Sequence, residues 1–215
     1  MILSNRLKSI ASFVSKDSTV SDIGCDHALL GAYLLEKNIV KKVIAVDILE
    51  KPINLAKEKY KNIDFRLGDG LNPVSLHELD TVIISGLGGK TIKKIISNKK
   101  IKKARKAIIS PNIDSFLVRK KMMENGFHIS DEKLVKCKSK IYEIIVFKKG
   151  RKIYSYKDLW IGPIILKNKS ELFYEKHTKV LRKYTSFKAA MPLSIKKLMI
   201  ARKIRILKNE KVFSK

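Results

Sequence analysis

Apolar and polar positions along this chain follow two regimes that change near residue 150. In the first, short runs that are apolar throughout alternate with stretches of ten or so residues whose apolar positions recur at helical spacing. The runs "TVSDIG", "KKVIAVDIL", "IDFRL", "DTVIIS" and "ARKAIIS" read as strands. Between and after them, "PINLAKEKYK", "KTIKKIISN" and "SFLVRKKMMENGF" read as helices, the last stopped by Gly126. "HISDEKLVKCKSKIYEIIVFKKG" supplies two final strands. Ahead of all these, Ser4 to Val14 reads as an amphipathic helix with Leu3, Leu7, Ile10 and Phe13 or Val14 on one face. Strands apolar on both sides, each followed by a helix, indicate a parallel sheet covered on both faces, with right-handed crossovers. The expectation for residues 1–150 is a doubly wound α/β domain. Its ligands belong at the carboxyl ends of the strands, in the loops 24–27, 47–49, 68–71, 85–90 and 110–112.

Past Gly150 the strands stop. "NKSELFYEKHTKVLRKY" carries Leu172, Phe173, Val180, Leu181 and Tyr184 at helical spacing. After a break near Met191 and Pro192, "LSIKKLMIARKIRILKNE" offers Ile195, Leu198, Met199, Ile204 and Ile206. These predict two amphipathic helices around a proline turn, so residues 151–215 read as a basic helical module. The chain shows no internal repeat and no low-complexity linker.

Charge changes this picture from a generic α/β fold to one with a polyanionic partner. Of the 215 residues, 47 are Lys or Arg and 20 are Asp or Glu, a net charge of +27. Only eight of the 47 are Arg, so a coding bias towards AT-rich codons accounts for part of the lysine excess. The excess is uneven: residues 1–150 carry 29 basic and 16 acidic side chains, residues 151–215 carry 18 and 4. Such a field attracts nucleic acid first and an acidic membrane surface second. No apolar run approaches the ~20 residues of a membrane span. Cys25 and Cys137 form neither a CxxC pair nor a disulfide framework, which suits a reduced cytosolic setting and leaves a metal site without ligands. The opening segment is basic and free of acids like a transit peptide, but the first strand begins near Thr19 and leaves no dispensable leader.

Candidate chemistry sits at the strand exits. Asp22-Ile23-Gly24 brings backbone close to a ligand at a helix N-terminus. A pyrophosphate would want an all-glycine cradle, and Asp26 would repel it. A cofactor with a sulfonium, an ammonium and one carboxylate meets no such objection, which points to S-adenosylmethionine. The plain alternative is a tight turn with Asp26 as N-cap. Asp47, ending the second strand, is placed to accept both ribose hydroxyls, and Asp69 in "LGDGL" to accept an adenine amino group. Either could instead be a turn or capping acid. Acids at three successive strand exits argue together for a ligand. "SGLGG" (Ser85 to Gly89) lets a planar group approach main-chain carbonyls, and "SPN" (Ser110 to Asn112) ends the next strand with an amide able to bond a base. The Asn/Asp-Pro-Pro-aromatic loop of exocyclic-amine methyltransferases is absent. Cys25 and His27 lie two residues apart with no orienting third group, a poor nucleophile pair. The run "KKIKKARK" (Lys99 to Lys106) reads as a solvated helix end or as a phosphate contact.

These motifs resemble the bacterial tRNA adenine-22 N1-methyltransferases, a class I methyltransferase family. The likeness runs through Arg6-Leu7, "DIGCDHALL", "AVDI" with Pro52, "RLGDGL", "SGLGGKTI", "SPN", "YEIIVF" and "IGPIIL". Departures are Cys25 for the usual Thr or Ser, Gly31 for a frequent Pro, Lys51 for Gly and Leu87 for Met. The resemblance implies a Rossmann-like, mostly parallel seven-stranded sheet with a coiled-coil-like C-terminal helical extension. It further implies S-adenosylmethionine held by Arg6, Asp22, Gly24 and Cys25, by Asp47 and Ile48, by Gly68, Asp69 and Gly70, and by Ser85 and Gly86. The base pocket it implies comprises Asp26, His27, Leu87, Gly88 and Asn112. On this reading the protein is a cytoplasmic monomer or weak dimer that methylates tRNA. A methyltransferase for another RNA or a small molecule, and a non-catalytic RNA-binding protein, remain the alternatives.

Overall fold

The computed structural model describes residues 2–210, so the last five residues of the 151–215 module lie outside the described residues. Its centre is one seven-stranded sheet of order β3-β2-β1-β4-β5-β7-β6. The parallel strands are β1 (Ser18–Ile23), β2 (Val40–Asp47), β3 (Asp64–Leu67), β4 (Thr81–Ser85) and β5 (Lys106–Ser110). β6 (Phe127–Cys137) and β7 (Lys140–Lys149) form a terminal hairpin, with β7 antiparallel to β5. Strand order reverses between β1 and β4, and a crevice opens there beyond their carboxyl ends.

Neighbouring residues within one strand feed different cores, which is why the runs are apolar throughout. Ile44, Val46, Val82, Ile84 and Ile109 join a cluster with α4 (Gly89–Ile95) and α5 (Ser115–Glu124). Their neighbours Val43, Ala45, Ile83 and Ile108 join another with α1 (Asn5–Ala11), α2 (Leu29–Glu36) and α3 (Glu50–Lys59). α1 is shorter than its apolar spacing predicts. Ser4 caps it, its hydroxyl accepting from Leu7 N at 3.3 Å. Past Ala11 the chain turns through tighter bonds, Phe13 N to the Ile10 carbonyl and Val14 N to the Ala11 carbonyl, while Phe13 and Val14 still pack inward.

Beyond Gly150 come α6 (Tyr156–Ile161), α7 (Pro163–Asn168), α8 (Glu171–Ala190) and α9 (Ile195–Asn209). α6 and α7 are absent from the sequence expectation; each is only six residues long, too short for helical periodicity to show. α8 and α9 form the expected hairpin, closed by Phe173, Leu181, Ile200, Ile204 and Leu207 with Leu134 of β6. One expectation fails here. Ile195, Leu198 and Met199 face solvent, because the row that meets α8 is 200/204/207, on the opposite side of the helix. The run from Lys99 to Lys106 is partly structural: Lys100 Nζ donates to the Asn72 and Val74 carbonyls, each at 2.7 Å, and Lys106 Nζ to the Phe13 carbonyl.

Candidate active site

The turn after β1 is built on close backbone approach. Gly24 takes φ +75°, and a Cβ there would lie 3.2 Å from Leu87 Cδ1. Its N–H and that of Cys25 both bond the Val46 carbonyl, at 2.8 and 3.1 Å. Asp26 (φ 50°) and Ala28 (φ 51°) are left-handed, so α2 starts only at Leu29, with Ala28 in the capping position. Asp26 therefore does not cap the helix. Its carboxylate faces solvent, 3.7 Å from His27 Nε2.

Asp47 holds this turn from the neighbouring strand. Its Oδ2 accepts from Asp26 N at 2.9 Å and its Oδ1 from Leu49 N at 3.1 Å. Asp22 lies buried close by, at the wall of the cavity. Burial, then the charge of Asp47, pushes the Asp22 pKa up to about 7. Burial, then the charges of Asp22 and Asp47, likewise raises the Cys25 thiol far above its ordinary value, so Cys25 has no nucleophilic thiolate. At the next strand exit Asp69 is paired with Lys94 Nζ at 2.8 Å.

Across the crevice the loops after β4 and β5 are joined as a continued parallel ladder. Gly86 N donates to the Ser110 carbonyl at 3.2 Å, Asn112 N to the Leu87 carbonyl at 2.9 Å and Gly89 N to the Ile113 carbonyl at 3.1 Å. Arg6 of α1 reaches the same place. Its Nε donates to Ser110 Oγ at 3.0 Å and its Nη1 to Asn112 Oδ1 at 2.9 Å, while its Nη2 donates to the Ser110 carbonyl. The guanidinium carbon lies 4.1 Å from the centroid of the Tyr142 ring. Asn112 Nδ2 in turn donates to the Gly86 carbonyl.

These elements enclose a cavity of about 680 Å³, in the size range of a small-molecule site. Of the residues singled out in the sequence, Arg6, Asp22, Gly24, Cys25, Asp26 and His27 line it. So do Asp47, Ile48, Gly68, Asp69, Gly70, Ser85, Gly86 and Leu87. Gly88 and Asn112 stand outside the lining, Gly88 as the residue before α4 and Asn112 behind the Gly86 carbonyl. Sequence reasoning missed Ser4 and Lys94, which also line the cavity, and named Leu7, Leu29, Leu49 and Thr91 only inside longer stretches with no site role of their own. Arg6-Leu7 signalled α1, but no spacing rule connects Lys94 to an acid 25 residues earlier.

The chemistry of this lining suits a cation. Asp22 and Asp47 share a confined, partly apolar space; burial is the larger cause of the raised Asp22 pKa, and the Asp47 charge beside it is the part that also favours a cation. Asp47 keeps carboxylate lone pairs for hydroxyl donors. Gly24 removes the side chain that would close the floor against Leu87. A molecule with a sulfonium, an ammonium and a diol fits this donor set.

Comparison with known proteins agrees. Residues 3–145 match the methyltransferase-domain family. The chain is 29% identical over 194 residues to the tRNA (adenine(22)-N(1))-methyltransferase of Bacillus subtilis, covering 84% of this chain and 82% of that one. A Streptococcus agalactiae protein of the NADB-Rossmann superfamily superposes with a TM-score of 0.92 at 30% identity, over 98% of this chain and 97% of that chain. TrmK of M. capricolum, solved with the cofactor product S-adenosyl-homocysteine, superposes with a TM-score of 0.88 at 28% identity, over 99% of both chains.

Proposed function

Because the chain belongs to the methyltransferase-domain family, we propose that it transfers a methyl group from S-adenosylmethionine to N1 of adenine 22 in tRNA. The observation that carries this reading is the Asp47 carboxylate, buried at the end of β2 and fixed by two main-chain N–H groups beside Asp22 in the cavity. Asp47 would hold the ribose hydroxyls and Ile48 the adenine face. Gly24, Cys25, Gly68 and Gly70 would give backbone approach, with Asp69 and its partner Lys94 at the purine edge. Asp22, Arg6, Ser85 and Gly86 would surround the amino-acid end. S-adenosylmethionine supplies an activated methyl group on a sulfonium leaving group.

Adenine N1 already carries a lone pair, so the residues need not create a nucleophile. Their task is placement, which alone is worth several powers of ten in rate. N1 lies on the Watson–Crick edge, so the base must be exposed before it enters. Leu87 and the backbone at Gly88 would border the incoming base. Asn112 would act from behind, by fixing the Gly86 carbonyl. Asp26 and His27 stand at the open mouth, where the Asp26 carboxylate would offset the positive charge that the ring gains as the N1–methyl bond forms.

Residues 1–150 would form the catalytic unit and the basic helices of 151–215 the grip on tRNA phosphates, which positions without reading sequence. The enzyme would act in the cytoplasm as a monomer or weak dimer. The decisive experiment incubates the protein with unmodified tRNA and S-adenosylmethionine and assays N1-methyladenosine by mass spectrometry. The nucleoside should appear and should vanish with Asp47→Ala together with cofactor binding. A different methylated nucleoside would overturn the base specificity, and undiminished cofactor affinity in Asp47→Ala would overturn the cofactor site.

A further inference from the structure

The α8–α9 hairpin exposes an apolar surface that its own packing does not explain. Its inner row is satisfied by Phe173, Leu181, Ile200, Ile204 and Leu207. Around its turn, however, Phe187, Leu193, Ile195, Leu198 and Met199 are 49%, 85%, 80%, 62% and 54% exposed. Ile195, Leu198 and Met199 share one helix face by their spacing of three and four residues. That face points away from the inner row. The turn itself is fixed: Ser194 Oγ accepts from Lys197 N at 3.2 Å, and Lys197 Nζ donates to the Met191 carbonyl. Five large apolar side chains exposed around one turn, three of them on one helix face, mark an interaction site.

Charge decides the partner. Residues 176–209 contain eleven Lys or Arg and no Asp or Glu. Lys176 and Lys179 are paired with Glu143 and Glu175, but a second copy of this hairpin would still bring the same excess of cations face to face, so self-association here is opposed. A partner must combine dense negative charge with exposed flat apolar groups. Unpaired bases of a folded RNA have both, since each carries a phosphate and a flat face that stacks on an aromatic ring such as Phe187 and buries aliphatic surface beside it. Lys183 already lies with its Nζ 5.5 Å from the Phe187 ring centroid, so a cation and an aromatic ring stand side by side within this patch.

We propose that the apolar face at the α8–α9 turn docks on unpaired, outward-facing bases of the substrate tRNA, while the surrounding lysines engage its phosphates. This rests on the functional reading above and adds to it a contact that recognises folded RNA shape rather than charge alone. A hairpin bound only by phosphate contacts would gain nothing from five exposed apolar side chains.

The test compares wild type with an Ile195→Ser/Leu198→Ser double variant and a Lys188→Gln/Lys196→Gln double variant, using unmodified tRNA over a range of salt concentrations. All four positions are exposed, so folding should survive, as thermal melting would verify. The apolar variant should weaken tRNA binding and raise KM for tRNA about tenfold at every salt concentration, the loss of part of the apolar burial of two aliphatic side chains. Its slope of log affinity against log salt should match wild type, and its affinity for S-adenosylmethionine should not change. The lysine variant should instead flatten that slope by roughly one to two units. Unchanged tRNA affinity in the apolar variant, while wild type still methylates tRNA, overturns this proposal and leaves the functional reading standing. Loss of self-association in sedimentation, or of binding to phosphatidylserine vesicles, without loss of tRNA affinity assigns the patch to another copy or a membrane and also overturns it. A wild type that neither binds nor methylates tRNA overturns both.

Discussion

Arg6 Nη1 donates to the side-chain oxygen of Asn112 at 2.9 Å, and this bond determines which way the Asn112 amide faces. Arginine offers only donors, so the amide oxygen must point to it and the amide nitrogen to the Gly86 carbonyl. Helix α1 thereby sets the position of a carbonyl on the far side of the cavity. The prediction is a loss in the chemical step that exceeds the loss in cofactor binding, because Gly86 stands by the amino-acid end while its loop also borders the incoming base. Asn112→Ala should lower kcat about 100-fold, the scale of a 1 Å misplacement, and weaken S-adenosyl-homocysteine binding by clearly less. Asn112→Asp should do no better, since it places an acceptor against the Gly86 carbonyl. Steady-state kinetics beside calorimetric titration separates the two effects; equal loss of both would mean that Asn112 supports the cofactor instead.

Asp22 predicts an opposed pH dependence of stability and of cofactor affinity. Its folded pKa, raised by burial and then by Asp47 to about 7, exceeds the ordinary value of 3.8. Between those values the folded chain holds a proton that the unfolded chain has released, so this group's contribution falls as pH rises from about 4 to 7. The full penalty, present above pH 7, is on the order of 4 kcal/mol. Asp22→Asn should therefore melt higher than wild type at pH 8 and no higher at pH 4. A cationic cofactor reverses the preference: its affinity for wild type should weaken roughly tenfold per unit below pH 7. A flat affinity profile from pH 5 to 8 would remove Asp22 from the cofactor's surroundings.

Gly89 is dictated by contact rather than by turn geometry. A Cβ there would meet the Asp114 carbonyl oxygen at 2.6 Å and the Ile113 carbonyl oxygen at 2.8 Å. Both are main-chain atoms, so the 110–114 loop would have to move away from the 85–89 loop. Gly89→Ala should cost about 1–3 kcal/mol of stability and lower kcat more than it raises KM. Gly88, where the nearest atom to a built Cβ is Ile113 Cγ1 at 3.9 Å, should accept alanine with a much smaller loss. Thermal melts and kinetics of the two variants side by side decide it.

The sequence disclosed what depends on local pattern. Asp47 and Gly24 were legible because a strand exit and its turn fall within a few residues, and the covered sheet because the runs of β2, β4 and β5 are apolar on both faces. Arg6 was legible only as part of a resemblance. Its partners lie more than 100 residues away, and no periodicity predicts a side chain bridging α1 to β5. The α8–α9 seam was half legible: Leu181 and Ile204 sit on it, whereas Ile195, Leu198 and Met199 have the right spacing but the wrong phase. Helical spacing establishes that a face exists, and only packing determines which of two apolar faces is covered.

A buried charge cluster, invisible in the sequence for the same reason, ties the helical segment to the sheet. Arg119 of α5, fully buried, donates to Glu132 of β6 at 2.8 Å and to Glu143 of β7 at 2.6 Å. Lys176 of α8 pairs with the other Glu143 oxygen, and Glu132 Oε2 accepts from Ile164 N at 2.9 Å at the start of α7. Burial works to raise the Glu143 carboxyl, but Lys176 and Arg119 together hold it below its ordinary value. Two positive and two negative groups balance, so removing one leaves a buried charge uncompensated. Arg119→Met leaves Glu132 without a cationic partner and Glu143 with Lys176 alone, and should cost about 3–5 kcal/mol. Lys176→Met leaves Arg119 in place, so it should cost less and act mainly where α8 meets the sheet. Hydrogen exchange distinguishes them: Arg119→Met should loosen β6, β7 and α5 together, Lys176→Met the α8–α9 hairpin ahead of the sheet. If Lys176→Met instead lowered protection evenly throughout the chain, Glu143 would be a core element and not the joint between the two segments.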